Sequence, residues 1–503
     1  MTRMYLLLAC TPSEDTLDPE RGDTSGEAPP DAVLAAFEDQ LDELGAPGVA
    51  VGIWQDGRIV HAFGLGRRGP ETDEEVGPDT LFRIGSVTKM LTAAALLEQV
   101  DAGALDLETP LSDLVDVETM SPEEYQQVTV HHLLSHQGGF WDHTPIEGTS
   151  NDERLEKYTE GTWASSYSLQ MVEPGAFWNY SNPNFALAGL VIERADGQRY
   201  YREALREDVL TPLGMDRTLF LGEDVIADGD YATGKAYDWT GGGADWLPSE
   251  PDSYDHAWSR PAGFAFSSVS DLLRFASFLM EEERLVQPHV DLQVGYPGWF
   301  SYGYGVMVYR GFGGVSGFIE EPLWTHGGAI PGFSAELFVL PERDFAVAVL
   351  SNGDGAYFGD AVAVTFDELV EDLPAGGAWP DAGTRDDMSR YAGTYYDAWN
   401  IGEVIIKELD GSLQILCPTL ADYGYEVDGE LVPLGQDNFV MTLDGTGITI
   451  ALLEGPDFDS QYLRHRAFVA HRQDGARSRP SPEPDVAAIL RAEASVPQSQ
   501  LPE

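Results

Sequence analysis

The sequence predicts an α+β fold, in which an antiparallel sheet flanked by helices carries an inserted helical subdomain and is followed by a small all-β barrel. Three observations support this fold class. A helical segment and a hairpin pattern come first, and helical and loop segments occupy the middle of the chain. Strand patterns then return from Trp324 to Ser351, and a separate block of short alternating segments runs from residue 390 to 472.

The first elements follow from local spacing. Apolar residues at positions 34, 37, 41 and 44 recur at helical intervals, with Asp31 expected as the N-cap and Gly45 as the end of the helix. Residues 49–66 then alternate about Asp56-Gly57, which predicts a β-hairpin. A second helix is expected to open at Gly85-Ser86 and to continue toward Leu107.

Segments rich in proline, glycine and acidic residues divide the chain. They predict a leader with a disordered linker over 1–30, a first domain over 31–372, a β domain over 388–472 and a disordered tail over 473–503. In the β domain, Asp410-Gly411, Asp428-Gly429 and Asp444-Gly445 are spaced like hairpin turns, so it is a closed barrel or a sandwich.

The net charge excludes whole classes of partner. Lysine and arginine total 29 against 85 acidic residues, which gives a formal charge of −56. Such a field repels nucleic acid and anionic membranes, so neither is expected as a partner. The composition is typical either of an ordinary solvated acidic surface or of adaptation to salty surroundings, where screening reduces self-repulsion.

The two cysteines do not form a disulfide framework, and each has its own interpretation. Leu7-Leu8-Ala9-Cys10, after a positive start and a short apolar run, resembles a bacterial lipoprotein cleavage box. That resemblance implies lipidation of Cys10 and export to the bacterial cell envelope, periplasmic or surface, with membrane contact only through the lipid. The alternative is an ordinary apolar N-terminus. Cys417 lies in an apolar segment and is expected to be buried rather than reactive.

Ser86 and Lys89 form the first candidate catalytic pair. Positions i and i+3 share one helix face, and the N–H groups at a helix start stabilise an oxyanion. A partly desolvated lysine holds a lowered pKa and accepts the serine proton. A lone S-x-x-K is weak evidence, but lysine occurs here only at 89, 157, 235 and 407, and only Lys89 has a serine three residues before it.

Two further clusters carry polar groups suited to acyl transfer. Tyr180 and Asn182 form a Y-x-N on a loop before a helix, where nearby lysine would depress the tyrosine pKa and the amide would position a substrate. The third cluster is the strand segment His326, Gly327, Gly328 and Ala329. Its glycines admit a substrate backbone, and the Ala329 N–H is a candidate second oxyanion donor. Taken alone, the Y-x-N is better explained by loop packing, and the alternative for the strand segment is a turn between strands.

Together, and in this order, S-x-x-K, Y-x-N and H-x-G resemble the serine β-lactamase and penicillin-binding-protein superfamily. The likeness is to class C β-lactamases and their esterase and D-aminopeptidase relatives, is supported by residues 128–140, 211–215 and 261–275, and covers about 31 to 370. It implies Ser86 as nucleophile, Lys89 and Tyr180 as proton-transfer pair, Asn182 as substrate positioner, and no metal or organic cofactor. Tyr391 to Tyr395 resembles the start of a lipocalin-like barrel found after this domain in some relatives.

His326 departs from the family pattern, which has a lysine there. A histidine is largely neutral near pH 7, so the substitution predicts weak activity on β-lactams and on peptides ending in a free carboxylate. Esters, amides and D-amino-acid peptides are favoured as small-molecule or peptide substrates, and oligomers are possible. The alternatives are a D,D-carboxypeptidase or β-lactamase, in which a charged His326 holds the substrate carboxylate, and a non-catalytic protein that binds penicillin or cell-wall fragments.

Other residues invite functional interpretations that the sequence disfavours or leaves open. His132 and His136 have the i, i+4 spacing of zinc ligands, but Leu133 stands where a zincin has glutamate, so a structural helix is expected. Trp141 and Trp178 either line the acyl pocket or pack in the core. The barrel either caps the cleft, mediates association or is a passive appendage.

Overall fold

The computed structural model describes most of the chain outside its two termini. The described residues are 28–115, 127–142, 155, 170–197, 199–237, 246–253, 256–294, 296, 298–381, 383, 387–398, 400–454, 461–473, 484, 486, 489 and 490. Cys10 and the predicted linker before residue 28 lie outside them. Within the described part, no helix is both long and apolar enough to cross a bilayer.

Within the described residues, all α-helices but the last lie in the first three quarters of the chain. They are α1 Asp31–Leu44, α2 Thr88–Asp101, α3 Val130–Leu134, α4 Asn182–Asp196, α5 Tyr201–Leu205, α6 Gly222–Asp228, α7 Arg260–Gly263, α8 Val269–Glu281, α9 Glu283–Val286, α10 Gly359–Leu369 and α11 Pro418–Asp422.

In the part of the chain that the structure describes, the strands form one large sheet, three two-stranded ribbons and a barrel. They are β1 Gly48–Gln55, β2 Arg58–Gly66, β3 Phe82–Arg83, β4 Gly234–Tyr237, β5 Trp246–Ser249, β6 Phe266–Ser267, β7 Val290–Asp291, β8 Phe300–Tyr302, β9 Met307–Tyr309, β10 Phe312–Gly314, β11 Gly317–Ile319, β12 Leu323–Ile330, β13 Phe333–Leu340, β14 Phe345–Ser351, β15 Gly393–Asp397, β16 Gly402–Leu409, β17 Ser412–Leu416, β18 Glu430–Gly435, β19 Asn438–Leu443, β20 Thr446–Glu454, β21 Gln461–His465 and β22 Phe468–Gln473.

The large sheet is antiparallel and separates two cores. Its order is β2-β1-β14-β13-β12-β9-β8-β7, so the early hairpin joins the late strands at one edge. One face packs against the buried helices α2, α4 and α8, and the other packs against α1 and α10. Alternate residues of β13 serve the two cores, for example Leu337 on the first side and Phe338 on the second. The predicted α+β class is therefore confirmed.

The N-terminal predictions hold except at the cap. The first helix begins at Asp31, but Pro30 occupies the N-cap position and no side chain caps the helix. Gly45 ends it in the left-handed conformation with φ of 61°. Asp56 and Gly57 both have positive φ, as a two-residue hairpin turn between β1 and β2 requires.

The C-terminal strands close into an eight-stranded antiparallel barrel around its own core. Asp410-Gly411 and Asp444-Gly445 form tight turns with positive φ, as predicted. Asp428-Gly429 does not, because β17 reaches β18 through α11 rather than through a two-residue turn. Cys417 is buried, and burial raises the pKa of its thiol to about 12, which makes it unreactive.

Part of the predicted disordered tail returns to the barrel. Val486 and Ile489 are buried in the barrel core. At these two positions the apolar side chains pack against the barrel, which the expectation of a disordered tail did not include, and the rest of that expectation stays a prediction.

Candidate active site

The nucleophile turn joins β3 to α2. Gly85 adopts φ of 49°, which a side chain would disfavour, and a 3-10 turn over Gly85–Val87 leads into the helix at Thr88. A Cβ on Gly85 would lie 2.6 Å from the backbone nitrogen of Ala329 in β12. Ser86 is half-buried while the residues on either side of it are buried, so the turn presents its hydroxyl to the cleft.

Lys89 lies one turn along α2 and is fully buried. Its Nζ lies 3.0 Å from Ser86 Oγ, and it donates to Asn182 Oδ1 at 2.7 Å and to the carbonyl of Ala262. Burial lowers the pKa of the Lys89 amine well below its ordinary value, and Arg466 lowers it further, while Asp142 raises it. A buried amine with a lowered pKa is chemically able to accept a proton from a neighbouring hydroxyl.

Tyr180 sits on the loop before α4, and its hydroxyl hydrogen-bonds Ser86. Its ring packs against His136, with centroids 4.2 Å apart, and the Lys89 Nζ lies 5.0 Å from the ring centre. The expectation of a depressed tyrosine pKa was wrong. Burial raises the pKa of Tyr180 above its ordinary value, and this outweighs the opposing effects of Arg466 and of the Ser86 hydrogen bond. Tyr180 is therefore a protonated phenol.

Asn182 is the first residue of α4, and Asp142 fixes the orientation of its side chain. Asp142 was not identified from the sequence as a residue of the site. Asp142 Oδ1 accepts from the Asn182 backbone N–H at 2.8 Å and from its Nδ2 at 3.2 Å. Because the amide nitrogen faces this carboxylate, the amide oxygen faces Lys89.

The edge of β12 lies directly against the nucleophile turn. A Cβ on Gly328 would lie 2.0 Å from the carbonyl oxygen of Ile84 and 3.1 Å from the Ser86 nitrogen. Glycine at this position is therefore required for the strand and the turn to meet. The meeting brings the Ser86 and Ala329 nitrogens to the same region, which suits a two-donor oxyanion hole. Gly327 is half-buried and Ala329 exposed along this edge.

His326 is buried and neutral. Its Nδ1 lies 2.6 Å from the carbonyl of Gly327, so this nitrogen carries the proton, and Nε2 accepts from Tyr302 at 3.1 Å. Burial, reinforced by Lys89, lowers the pKa of His326 to about 3. The hypothesis that a charged His326 holds a substrate carboxylate is therefore not supported by its surroundings.

The barrel reaches the site through the turn between β21 and β22. The Nε of Arg466 in this turn donates to Asp142 Oδ2 at 2.7 Å, and its guanidinium lies 4.3 Å from the centre of the Tyr180 ring. Trp141 Nε1 donates to the carbonyl of Ala467 at 3.3 Å. The barrel thus contributes a cation to the cleft, and the interpretation of it as a cap on the cleft gains support.

Arg464 fixes the same turn. It is buried, and its guanidinium donates to the backbone carbonyls of Trp178, Leu292 and Gln293 at 2.8 to 3.0 Å. The sequence signal for this contact was the Arg-His-Arg segment at 464–466 in an otherwise acidic chain. That segment alone does not indicate which part of the hydrolase domain the two arginines contact. Trp178 itself packs between Tyr180 and Tyr302.

The histidines of residues 131–136 face different surroundings. His132 accepts from the Thr129 N–H at 3.1 Å in a capping box at the start of α3. His131 bonds the Tyr304 hydroxyl, whereas His136 packs under Tyr180. Among the residues that the structure describes, no group of three or more histidine, cysteine or acidic side chains is arranged to hold a metal.

A comparison with family models identifies the family of this chain. The model described as Beta-lactamase matches residues 33–371. The chain belongs to the β-lactamase family. That match takes in all three motif clusters and stops before the barrel.

Individual β-lactamase-family relatives include named hydrolases. Unguisins hydrolase ungD′ of Aspergillus campestris is 28% identical over 337 residues, covering 62% of this chain and 59% of that protein. The D-aminopeptidase of Gluconobacter oxydans is 27% identical over 352 residues, covering 66% and 61%. The chain spans about three fifths of the length of these curated relatives.

A solved structure extends the likeness into the barrel. SurE is 25% identical, covers 88% of this chain and 99% of its own, and superposes with a TM-score of 0.64. SurE has also been crystallised with D-Leu. The match covers more of the chain than the family model does, so the likeness to SurE extends beyond the β-lactamase-family domain.

Proposed function

We propose that this β-lactamase-family protein is a serine hydrolase that forms an acyl-enzyme on Ser86 and cleaves amide or ester bonds, with D-amino-acid peptides as its natural substrate class. One observation carries the proposal. The Lys89 amine, buried and low in pKa, lies 3.0 Å from the Oγ of the half-exposed Ser86. In its uncharged form, which burial favours, an amine at this distance can act as a general base for the serine hydroxyl.

In the acylation step, Lys89 takes the Ser86 proton while Oγ bonds the substrate carbonyl carbon. The negative charge on the carbonyl oxygen is stabilised by the N–H groups of Ser86 and Ala329. Collapse of the tetrahedral intermediate breaks the bond to the amine or alcohol leaving group. Tyr180 protonates that group through its position at Ser86 and is reprotonated from Lys89, so the proton is conserved.

Deacylation repeats these roles with water as the nucleophile. Water adds to the acyl carbon, its proton passes through the Lys89 and Tyr180 pair to Ser86 Oγ, and the carboxylic acid leaves. Asn182 keeps the Lys89 amine aimed at Oγ throughout, because its own orientation is fixed by Asp142.

The charge of the site supports uncharged or amine-bearing substrates. His326 is neutral, and the cation that the barrel supplies is already paired with Asp142. Neither group offers the uncompensated positive charge that would hold the carboxylate of a penicillin. The relatives support D-residues, since one is a D-aminopeptidase and another has been crystallised with D-Leu.

The first test is hydrolysis of a short-chain p-nitrophenyl ester, followed by D- and L-amino-acid p-nitroanilides and nitrocefin. We expect ester turnover, a preference for the D-anilide, and nitrocefin turnover at least 100-fold below that of the ester. Ser86→Ala should abolish turnover and the mass gain from a fluorophosphonate, whereas Ser301→Ala, a half-buried serine in β8, should retain both. Ester turnover that survives in Ser86→Ala, or no covalent mass gain on Ser86 in the wild type, would refute the proposal.

Lipidation of Cys10, export to the cell envelope and oligomerisation remain predictions from the sequence and its resemblance. We propose the lipid anchor as the one membrane contact, and incorporation of labelled palmitate into wild-type chain but not Cys10→Ser tests it in a bacterial host.

A further inference from the structure

Two oppositely charged side chains, one from each domain, lie close to Lys89 and Tyr180. Asp142 belongs to the hydrolase domain and Arg466 to the barrel, and they form an ion pair with N···O of 2.7 Å. The Asp142 side chain is 9% exposed and that of Arg466 22%, so both are shielded from solvent. Each partner also touches the catalytic groups, Asp142 through Asn182 and Arg466 through the Tyr180 ring.

The two basic groups of the site, Lys89 and Arg466, both lie close to the Tyr180 ring. Its centre lies 4.3 Å from the Arg466 guanidinium carbon and 5.0 Å from Lys89 Nζ. A protonated Lys89 would therefore lie less than about 10 Å from the Arg466 guanidinium, a separation at which charges in a buried site still interact strongly. A positive Lys89 is disfavoured by Arg466 and favoured by Asp142.

The other titratable groups around Lys89 do not carry charge near neutral pH. His136 and His326 flank it from the loop after α3 and from β12, and burial keeps both neutral by lowering their pKa values. Tyr180 is a buried phenol whose pKa burial raises, and so is Tyr302 on β8. Among the described residues, the charges that act on Lys89 are thus those of the interdomain pair.

We propose that Asp142 and Arg466 act as a pair of positioning residues through which the barrel sets the protonation state of Lys89. Asp142 orients the Asn182 amide, and Arg466 adds to the effect of burial in favouring the uncharged form of the Lys89 amine. The barrel is then a working part of the catalytic centre. The inference rests on the proposed role of Lys89 as general base, but its test does not require turnover.

The test exploits the four lysines of the chain. Lysine labelled with ¹³C at Cε gives four NMR signals, and the Lys89 signal is the one that Lys89→Arg removes. Titration of the full chain then measures the Lys89 pKa directly in wild type, Arg466→Gln, Asp142→Asn and the double variant. Arg472→Gln is the matched control, because Arg472 lies in the adjoining strand β22 and donates to the barrel carbonyls of Arg390 and Ala392.

The expected shifts have opposite signs. Arg466→Gln removes a positive neighbour, so the pKa of Lys89 should rise by about 1. Asp142→Asn removes a negative neighbour, so the pKa should fall, and the double variant should return toward the wild-type value. Arg472→Gln should leave the pKa unchanged. In a chain that turns over the ester, the acid limb of kcat/KM should move with the Lys89 pKa in each variant.

Two results would overturn the inference. One is a Lys89 pKa that is the same in wild type and both single variants, and the other is a shift in the same direction in both, which mere loosening of the site would produce. Loss of the proposed function is a separate outcome, recognised by absent labelling of Ser86 in the wild type, and the titration still decides the role of the ion pair in that case.

Discussion

Replacing Gly328 by alanine should separate the two halves of the oxyanion hole. The added Cβ would lie 2.0 Å from the Ile84 carbonyl oxygen, and ordinary contact begins at 3.4 Å, so the strand and the nucleophile turn must part by about 1.4 Å. The obstructing oxygen belongs to the backbone of Ile84. That backbone is held in place because the Ile84 N–H donates to the carbonyl of Ala265 at 3.0 Å. Rotation of a side chain cannot relieve the contact.

The expected loss follows from the geometry of acyl transfer. A displacement of the order of 1 Å at reacting groups costs about 10²-fold in rate, and loss of one oxyanion donor costs about 10² to 10³-fold. We therefore expect kcat/KM of Gly328→Ala on the p-nitrophenyl ester to fall by at least 10²-fold, with most of the loss in kcat. Ala329 follows Gly328 directly, so its N–H moves with the strand.

The assay compares this variant with a matched one. Gly447→Ala makes the same change in a barrel strand, where the nearest atom to the added Cβ is a side-chain methyl of Val440 at 3.2 Å. Circular dichroism and Tm establish that both variants are folded, and Ser86→Ala sets the floor of activity. A folded Gly328→Ala with kcat/KM within threefold of the wild type would refute the placement of the oxyanion hole between Ser86 and Ala329.

Two further predictions concern stability. Burial raises the pKa of Glu336 from 4.5 to about 7. Between these two pH values the carboxyl is protonated in the native state and ionised in the unfolded state, so its contribution to stability is lost as the pH rises through the native pKa. Relative to Glu336→Gln, the wild type should lose about 3 kcal/mol of unfolding free energy between pH 4.5 and 8, measured by urea denaturation. The charge of −56 should make Tm rise by several degrees between about 0.1 and 1 M NaCl, as the Debye length falls from about 10 to about 3 Å.

Each stability prediction has its own control. Glutamine at 336 can still accept from the Phe358 N–H, as Glu336 Oε2 does at 2.9 Å, and Glu403→Gln makes the same change at an exposed position. A wild-type-minus-variant difference that stays constant with pH contradicts the first prediction. For the second, choline chloride at equal ionic strength should act like NaCl, and a Tm that responds to neither salt counts against self-repulsion.

Much of the fold and the motif residues could be predicted from the sequence, because they depend on interactions between near neighbours. The spacing of apolar residues marks α1, and Asp56-Gly57 marks a turn that only a positive φ can make. Three motifs and a family resemblance selected Ser86, Lys89 and Tyr180, and the structure brings these side chains together. The eight short segments after residue 390 predicted the barrel.

The protonation states and the contribution of the barrel were decided only by the tertiary structure. Tyr180 was expected to have a depressed pKa, yet burial raises that pKa. Asp142 and Arg466 lie 324 positions apart, and neither belongs to a recognised motif. Local patterning reflects the conformational preferences of neighbouring residues, whereas a pKa depends on how much solvent is excluded and which charges are near in space. Those quantities exist only once the sheet, the helices and the barrel have packed together.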